Sequence, residues 1–179
     1  ASHLKVVKKG SPEQIIGDFW RTAMDTVKIE SEGLKPIATL LESIDGVKKT
    51  DKLMVMVAWL KTLGSSTMFS DFVGQDAKSS EVMAYQLYQG GLGLPEREYY
   101  FKDDSTTIAI RKAYLNYIST MLIYAETDKT EAARAAERIL SLETKMAQAS
   151  RKMEDLRDPY ANYNKMSLED LQKETPNIK

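Results

Sequence analysis

Few residues in this 179-residue chain are of types that do chemistry unaided. It has one histidine, His3, and no cysteine. Zinc sites in hydrolases draw on two or three imidazoles or thiolates, so the chain cannot build one by itself, and thiol-ligated clusters are excluded outright. Triad or imidazole acid–base chemistry would have to recruit its only ring from a chain end, where order is usually poor. Asp103-Asp104 and Glu154-Asp155 are paired acids, but neither shows the alternating oxygen-ligand spacing of a calcium loop, and such pairs usually serve as turns and caps. Among the nine methionines, Met54, Met56, Met121 and Met146 fall where helix cores need filling. Tyr85, Tyr88, Tyr99 and Tyr100 could form a ligand-stacking surface, although tyrosines beside a turn more often close a small core.

The stretch that must position these groups runs from Gly90 to Tyr100, GGLGLPEREYY. Three glycines in four positions followed by Pro95 cannot lie mid-helix, because the glycines admit positive φ and the proline removes a donor. The stretch is a corner. Arg97, Glu98, Tyr99, Tyr100 and Phe101 place opposite charges and aromatic rings beside it, which predicts a packed, hydrogen-bonded knot. A phosphate-binding loop needs lysine and a hydroxyl after its last glycine, and Leu94 and Pro95 stand there instead.

Around that corner the periodicity is mostly helical. Ser11-Pro12-Glu13-Gln14 is a helix start with a serine cap and a glutamine three residues on, and Ile15, Ile16, Phe19, Trp20 and Ala23 share one face of a helix over about 12–25. Short helices follow from Val27 to Glu32, ended by Gly33, and from Pro36 to Asp45-Gly46. A fourth runs from Thr50 and Asp51 to Leu63. Between Ser65 and Gln89 the pattern changes to two short strands separated by the polar segment Gly74–Ser80. Ile108, Arg111, Leu115, Ile118, Leu122 and Ala125 predict a long helix over about 106–126. Ala132, Ala135, Ile139, Leu142, Met146 and Ala149 predict its antiparallel partner over about 130–152, with alanines that allow close approach. Ser167 can cap one last short helix before Pro176. The fold class is therefore mainly α: one multi-helix domain over 1–179, with a long antiparallel helix pair and a small β-hairpin insertion.

A net charge of −1 with interspersed signs sets up no field for nucleic acid or anionic membrane. No apolar run is long enough to span a bilayer, so the residues predict a soluble segment.

Gly90–Tyr100 resembles the turn in the non-catalytic lobe of the neprilysin family of zinc endopeptidases, which includes the bacterial endopeptidase O type. Three more segments agree in order. Gly10–Asp25 (GSPEQIIGDFWRTAMD) is similar to the helix entering that lobe, Gly74–Ser80 (GQDAKSS) to the polar turn ahead of the corner, and Arg157–Leu168 (RDPYANYNKMSL) to the segment near its end. The resemblance implies a two-lobed enzyme whose other lobe carries an H-E-x-x-H helix holding zinc. None of those motifs stands in this chain, so no catalytic or metal residue is assigned, and the chain reads as a lobe excised from a longer protein.

The implied role is to cap the cavity and restrict substrates to peptides that fit, with zinc and the base supplied by the catalytic lobe of the same polypeptide. Arg97, Tyr99, Tyr100 and Arg157 are the candidate cavity-wall or inter-lobe residues, although buried structural pairing is an equal alternative for the arginines. The absence of cysteine points to a bacterial parent; whether that parent is exported to the periplasm or anchored at a membrane is not legible in these residues. The competing readings are a free-standing helical interaction module and a small-molecule domain using the tyrosine cluster around Tyr85 and Tyr99.

Overall fold

Ser11 is extended after a turn, and its side chain accepts the Gln14 N–H at 3.3 Å, which with proline at the first helical position starts α1 (Pro12–Ala23). The structure, a computed structural model, describes residues 8–176. It divides into two compact units, one ending at Gly46 and one beginning at Val47. In the first unit Asp25 caps α2 (Thr26–Glu32) by accepting from Lys28 N–H at 3.0 Å, and Gly33 ends it at φ 52°. The predicted third helix starts later than Pro36. Lys35–Ile37 form a 3-10 turn around the proline, and α3 runs Ala38–Asp45. No described residue of α1, α2 or α3 is buried.

The second unit opens with α4 (Thr50–Thr62), whose cap position is the extended Lys49. Thr50 and Asp51 lie inside the first turn, where Asp51 complements the helix dipole. Next comes an antiparallel hairpin, β1 (Phe69–Asp76) and β2 (Ser79–Gln89), in register from Phe69↔Gln89, with a shift between Gln75 and Asp76. The polar separator predicted over Gly74–Ser80 shrinks to Ala77 and Lys78. Ladder hydrogen bonds need only backbone, so Gly74, Gln75, Ser79 and Ser80 join the strands, and the Asp76 carboxylate closes the turn by accepting from Lys78 N–H at 2.8 Å. Lys61 of α4 ties the hairpin down, donating to the Phe69 carbonyl at 2.6 Å and pairing with Asp71, which also accepts from the Tyr85 hydroxyl.

The two long helices are α5 (Ser105–Tyr124) and α6 (Lys129–Ala149), capped by Asp104 and Asp128. The Asp103-Asp104 pair thus contains a cap, as its type suggested. The connection turns at Glu126, φ 64°, with Thr127 N–H reaching back to the Leu122 carbonyl at 3.0 Å. The helices pack against each other. Ala132, Ala136 and Ala147 on α6 are fully buried, which is how alanines let backbones approach. The predicted α6 stripe is rotated, since Leu142 is exposed and Glu143 lies nearer the interior. Met121, predicted as core, is also exposed, whereas Met54, Met56 and Met146 are half-buried. A short α7 (Leu168–Glu174), capped by Ser167, ends the described chain.

Candidate functional site

The glycine corner is a knot, and its glycines are demanded by close approach. Gly91 has φ 77°, and a Cβ there would come 2.7 Å from the Met68 carbonyl and 2.6 Å from the Met146 methyl. At Gly93 a Cβ would fall on the Tyr114 hydroxyl. These contacts bring the corner onto α5 and α6, where Leu94, Tyr100 and Ala147 form the buried cluster and Leu92, Tyr99, Ile110, Tyr114 and Leu140 pack against it.

Glu143 is the acceptor that closes the knot. Its two oxygens take the Tyr100 hydroxyl at 2.6 Å, the Tyr114 hydroxyl at 2.9 Å and the Gly93 N–H at 3.3 Å, while the Tyr100 oxygen itself accepts from Leu94 N–H at 3.0 Å. Burial, reinforced by Glu143, pushes the Tyr100 phenol up to about 12 and raises that of Tyr114 as well. Both phenols therefore stay protonated donors near neutral pH. A carboxylate held by three donors serves the knot as a structural acceptor.

Arg97 spans the same corner. It donates through Nε to the Ala147 carbonyl at 3.1 Å, pairs with Glu98 at 2.8 Å and lies over the Phe101 ring at 5.1 Å. Arg111 donates to the Tyr99 carbonyl at 2.9 Å and to that of Lys102 at 2.6 Å, which fixes the 3-10 turn Arg97–Tyr100. Gln89 and Arg151 exchange two bonds, at 3.1 and 2.8 Å, between the end of β2 and the segment after α6. Beside them a shallow concavity of about 340 Å³ is lined in part by Thr67, Ser70, Gly91, Arg97, Arg151 and Leu156. The Thr67 hydroxyl is buried there without a partner among the described residues.

A second polar centre lies at the hairpin tip. Buried Asp76 accepts from Lys165 at 2.7 Å, from the Tyr163 hydroxyl at 3.0 Å and from Lys78 N–H. The Lys165 bond, with the backbone bond next, lowers its carboxyl to about 2.

The four sequence-predicted residues do not converge on one cavity. Arg97 lines the concavity; Tyr100 is buried in the knot; Tyr99 is half-buried. Arg157 is exposed at the end of a 3-10 turn, its guanidinium without a hydrogen bond or ion pair among the described residues. Sequence reasoning missed Glu143, Tyr114 and Asp76. The first stands four residues after Ile139 and four before Ala147, and an acid on an apolar stripe is the signal that could have found it. Among the described residues no group of three or more His, Cys, Asp or Glu is placed to hold a metal ion. No helix there is long and apolar enough to cross a membrane.

Comparison with known proteins decides the family. The N-terminal model of peptidase family M13 matches residues 4–179. The chain belongs to peptidase family M13. This is the neprilysin family of zinc metallopeptidases, and the match is to its N-terminal region. Endothelin-converting enzyme 1 of Homo sapiens is 31% identical over 170 residues, covering 89% of this M13 chain and 22% of the relative. Zinc metalloprotease Zmp1 of Mycobacterium tuberculosis, in complex with inhibitor, aligns at TM-score 0.82 with 29% identity over 97% of this chain and 26% of that one. In its open state Zmp1 aligns at TM-score 0.83 with 28% identity over 99% of this chain and 27% of that one. PepO from Lactobacillus rhamnosis HN001, at 16% identity and TM-score 0.69, shares the fold. This M13 chain thus spans only 22% to 27% of the length of those first relatives. The family is zinc-dependent, and the described residues of this region do not fit the metal.

Proposed function

We propose that this M13 chain is the non-catalytic lobe of a zinc endopeptidase, closing over a cavity and admitting only peptides that fit within it. One observation carries the reading: a family match over residues 4–179 against relatives about four times as long, in a chain whose only histidine is His3. Zinc and the base that activates its water come from the remainder of the polypeptide, and residues 1–179 act as one functional lobe. Closing such a lobe excludes water and orients the peptide near the metal, the general benefit of a lidded site.

Arg97, Tyr99, Tyr100 and Arg157 contribute to the wall or the inter-lobe contact in different ways. Arg157 offers its guanidinium to a peptide or to the other lobe. Arg97 and Tyr100 act by holding the corner, because their polar atoms are already engaged. The parent is read as a bacterial protein exported to the periplasm or anchored at a membrane.

The test compares the full-length protein with the 179-residue chain on a short fluorogenic peptide and on a folded protein carrying the same cleavage sequence. The full-length protein should cleave only the peptide, chelator should abolish that activity, and the short chain should cleave neither. Equal cleavage of the folded protein would remove the size-restricting role; chelator-sensitive cleavage by the short chain would remove the assignment as a non-catalytic lobe.

A further inference from the structure

In α1 the residues Ile15, Ile16, Phe19 and Trp20 form one apolar face, and all four are more than half exposed, Phe19 at 77%. Exposed apolar surface continues past the helix through Val27. Clustered large side chains left in water mark a surface that is covered in use. We propose that this face of α1 is a permanent seam onto the remainder of the same polypeptide, covered whether the cavity is open or closed. The inference rests on the reading above, which makes these residues part of a longer M13 polypeptide.

Three features select that occupant. First, roughly three-quarters of the length of the relatives lies outside the matched region, so covering chain is available in the same molecule. Second, the polar positions of α1 carry Glu13 and Asp18 against Arg21, a net negative face, whereas a helix that lies on an anionic bilayer presents lysine and arginine there. Third, obligate interfaces are more apolar than those that separate and re-form and resemble a core cut in half, and Ile, Ile, Phe and Trp on one face are of that kind.

The helix supplies its own reference. The Arg21 side chain is exposed, as is Phe19, and sits on the opposite, polar face. Phe19→Cys and, separately, Arg21→Cys are made in the full-length protein, with Ile15→Cys as a second apolar-face variant in case the first does not fold. The region has no native cysteine, so thiol alkylation at these sites is read peptide by peptide by mass spectrometry. The seam predicts labelling at Phe19→Cys at least tenfold slower than at Arg21→Cys, equally with and without saturating peptide substrate, and independent of protein concentration.

Equal rates at the two positions overturn the proposal. So does protection that appears only with substrate, which would make the face part of the moving cavity wall. Protection that grows with protein concentration assigns the face to a second copy, and protection that needs anionic phosphatidylserine vesicles assigns it to a membrane; either overturns the seam. Chelator-sensitive hydrolysis is measured on the same preparations. If it persists while the rates are equal, the seam fails and the lobe reading stands; if wild-type full-length protein hydrolyses nothing, the lobe reading fails while the labelling ratio still decides the cover.

Discussion

The glycine corner and the unit ending at Gly46 use similar local devices, a side-chain cap here, a positive-φ glycine there, yet they treat their apolar residues in opposite ways. Around Gly91 and Gly93 the chain draws Tyr100 and Leu94 into a buried cluster and meets Glu143 with three donors. In the first unit α1 is equally well capped, but Phe19 and Trp20 stay in water. Capping and propensity start an element; they do not supply the surface that covers it. One region is finished by its own residues and the other awaits a covering.

That contrast can be broken most forcefully with glycines. Gly91→Ala should cost about 2–5 kcal/mol, combining roughly 1–2 kcal/mol for the left-handed backbone with about 1–3 kcal/mol for overpacking onto the Met68 backbone. Gly33→Ala has φ 52° and ψ −124°, a mirror-β conformation that suits glycine, with open space around it, so only a backbone cost of about 1–3 kcal/mol should register. Urea unfolding of the 179-residue chain measures both, and equal losses would abolish the distinction.

Tyr100→Phe comes next, at about 1–3 kcal/mol, because it strips Glu143 of a donor and leaves the Leu94 N–H unpaired. It also has a pH signature. Unfolded tyrosine titrates near 10.0 and Tyr100 near 12, so its contribution is complete below pH 10 and disappears as pH rises from 10 through about 12. The alkaline fall in melting temperature should be shallower in Tyr100→Phe, with Tyr114 sustaining what remains. An unchanged alkaline limb would show that the phenol is not held as described.

At the other end of the scale Asp76 has its carboxyl lowered to about 2 from an ordinary 3.8, so its contribution is complete above about pH 4 and disappears as pH falls through 2. Asp76→Asn should flatten the acid limb and free the Tyr163 and Lys165 segment, seen as faster amide exchange there. The smallest effect belongs to Phe19→Ser in the isolated 179-residue chain, within about 0.5 kcal/mol, because an exposed side chain forfeits little burial. A loss above 2 kcal/mol would mean the first unit covers its own apolar face after all.

Much of the fold was legible because its determinants are local. Ser11 and Pro12 announce α1, Ser167 announces α7, and the 3.6-residue periodicity of α5 and α6 fixes their type. What escaped is long-range. The Asp76–Lys165 pair joins residues 89 apart, and Glu143 reads as a solvated charge until Tyr100 and Tyr114 are brought to it from 43 and 29 positions away. Hairpin length was underestimated because Gly74, Ser79 and Ser80 have loop-like side chains but ordinary backbone. Four short segments in order carried the family, and the match over residues 4–179 bears that out.

The most direct measurement of the central claim is metal content. The 179-residue chain and the full-length protein are equilibrated with zinc, freed of unbound metal and analysed by mass spectrometry. The account predicts stoichiometric zinc in the longer protein and none above background in the shorter; stoichiometric zinc retained by the 179-residue chain would contradict it.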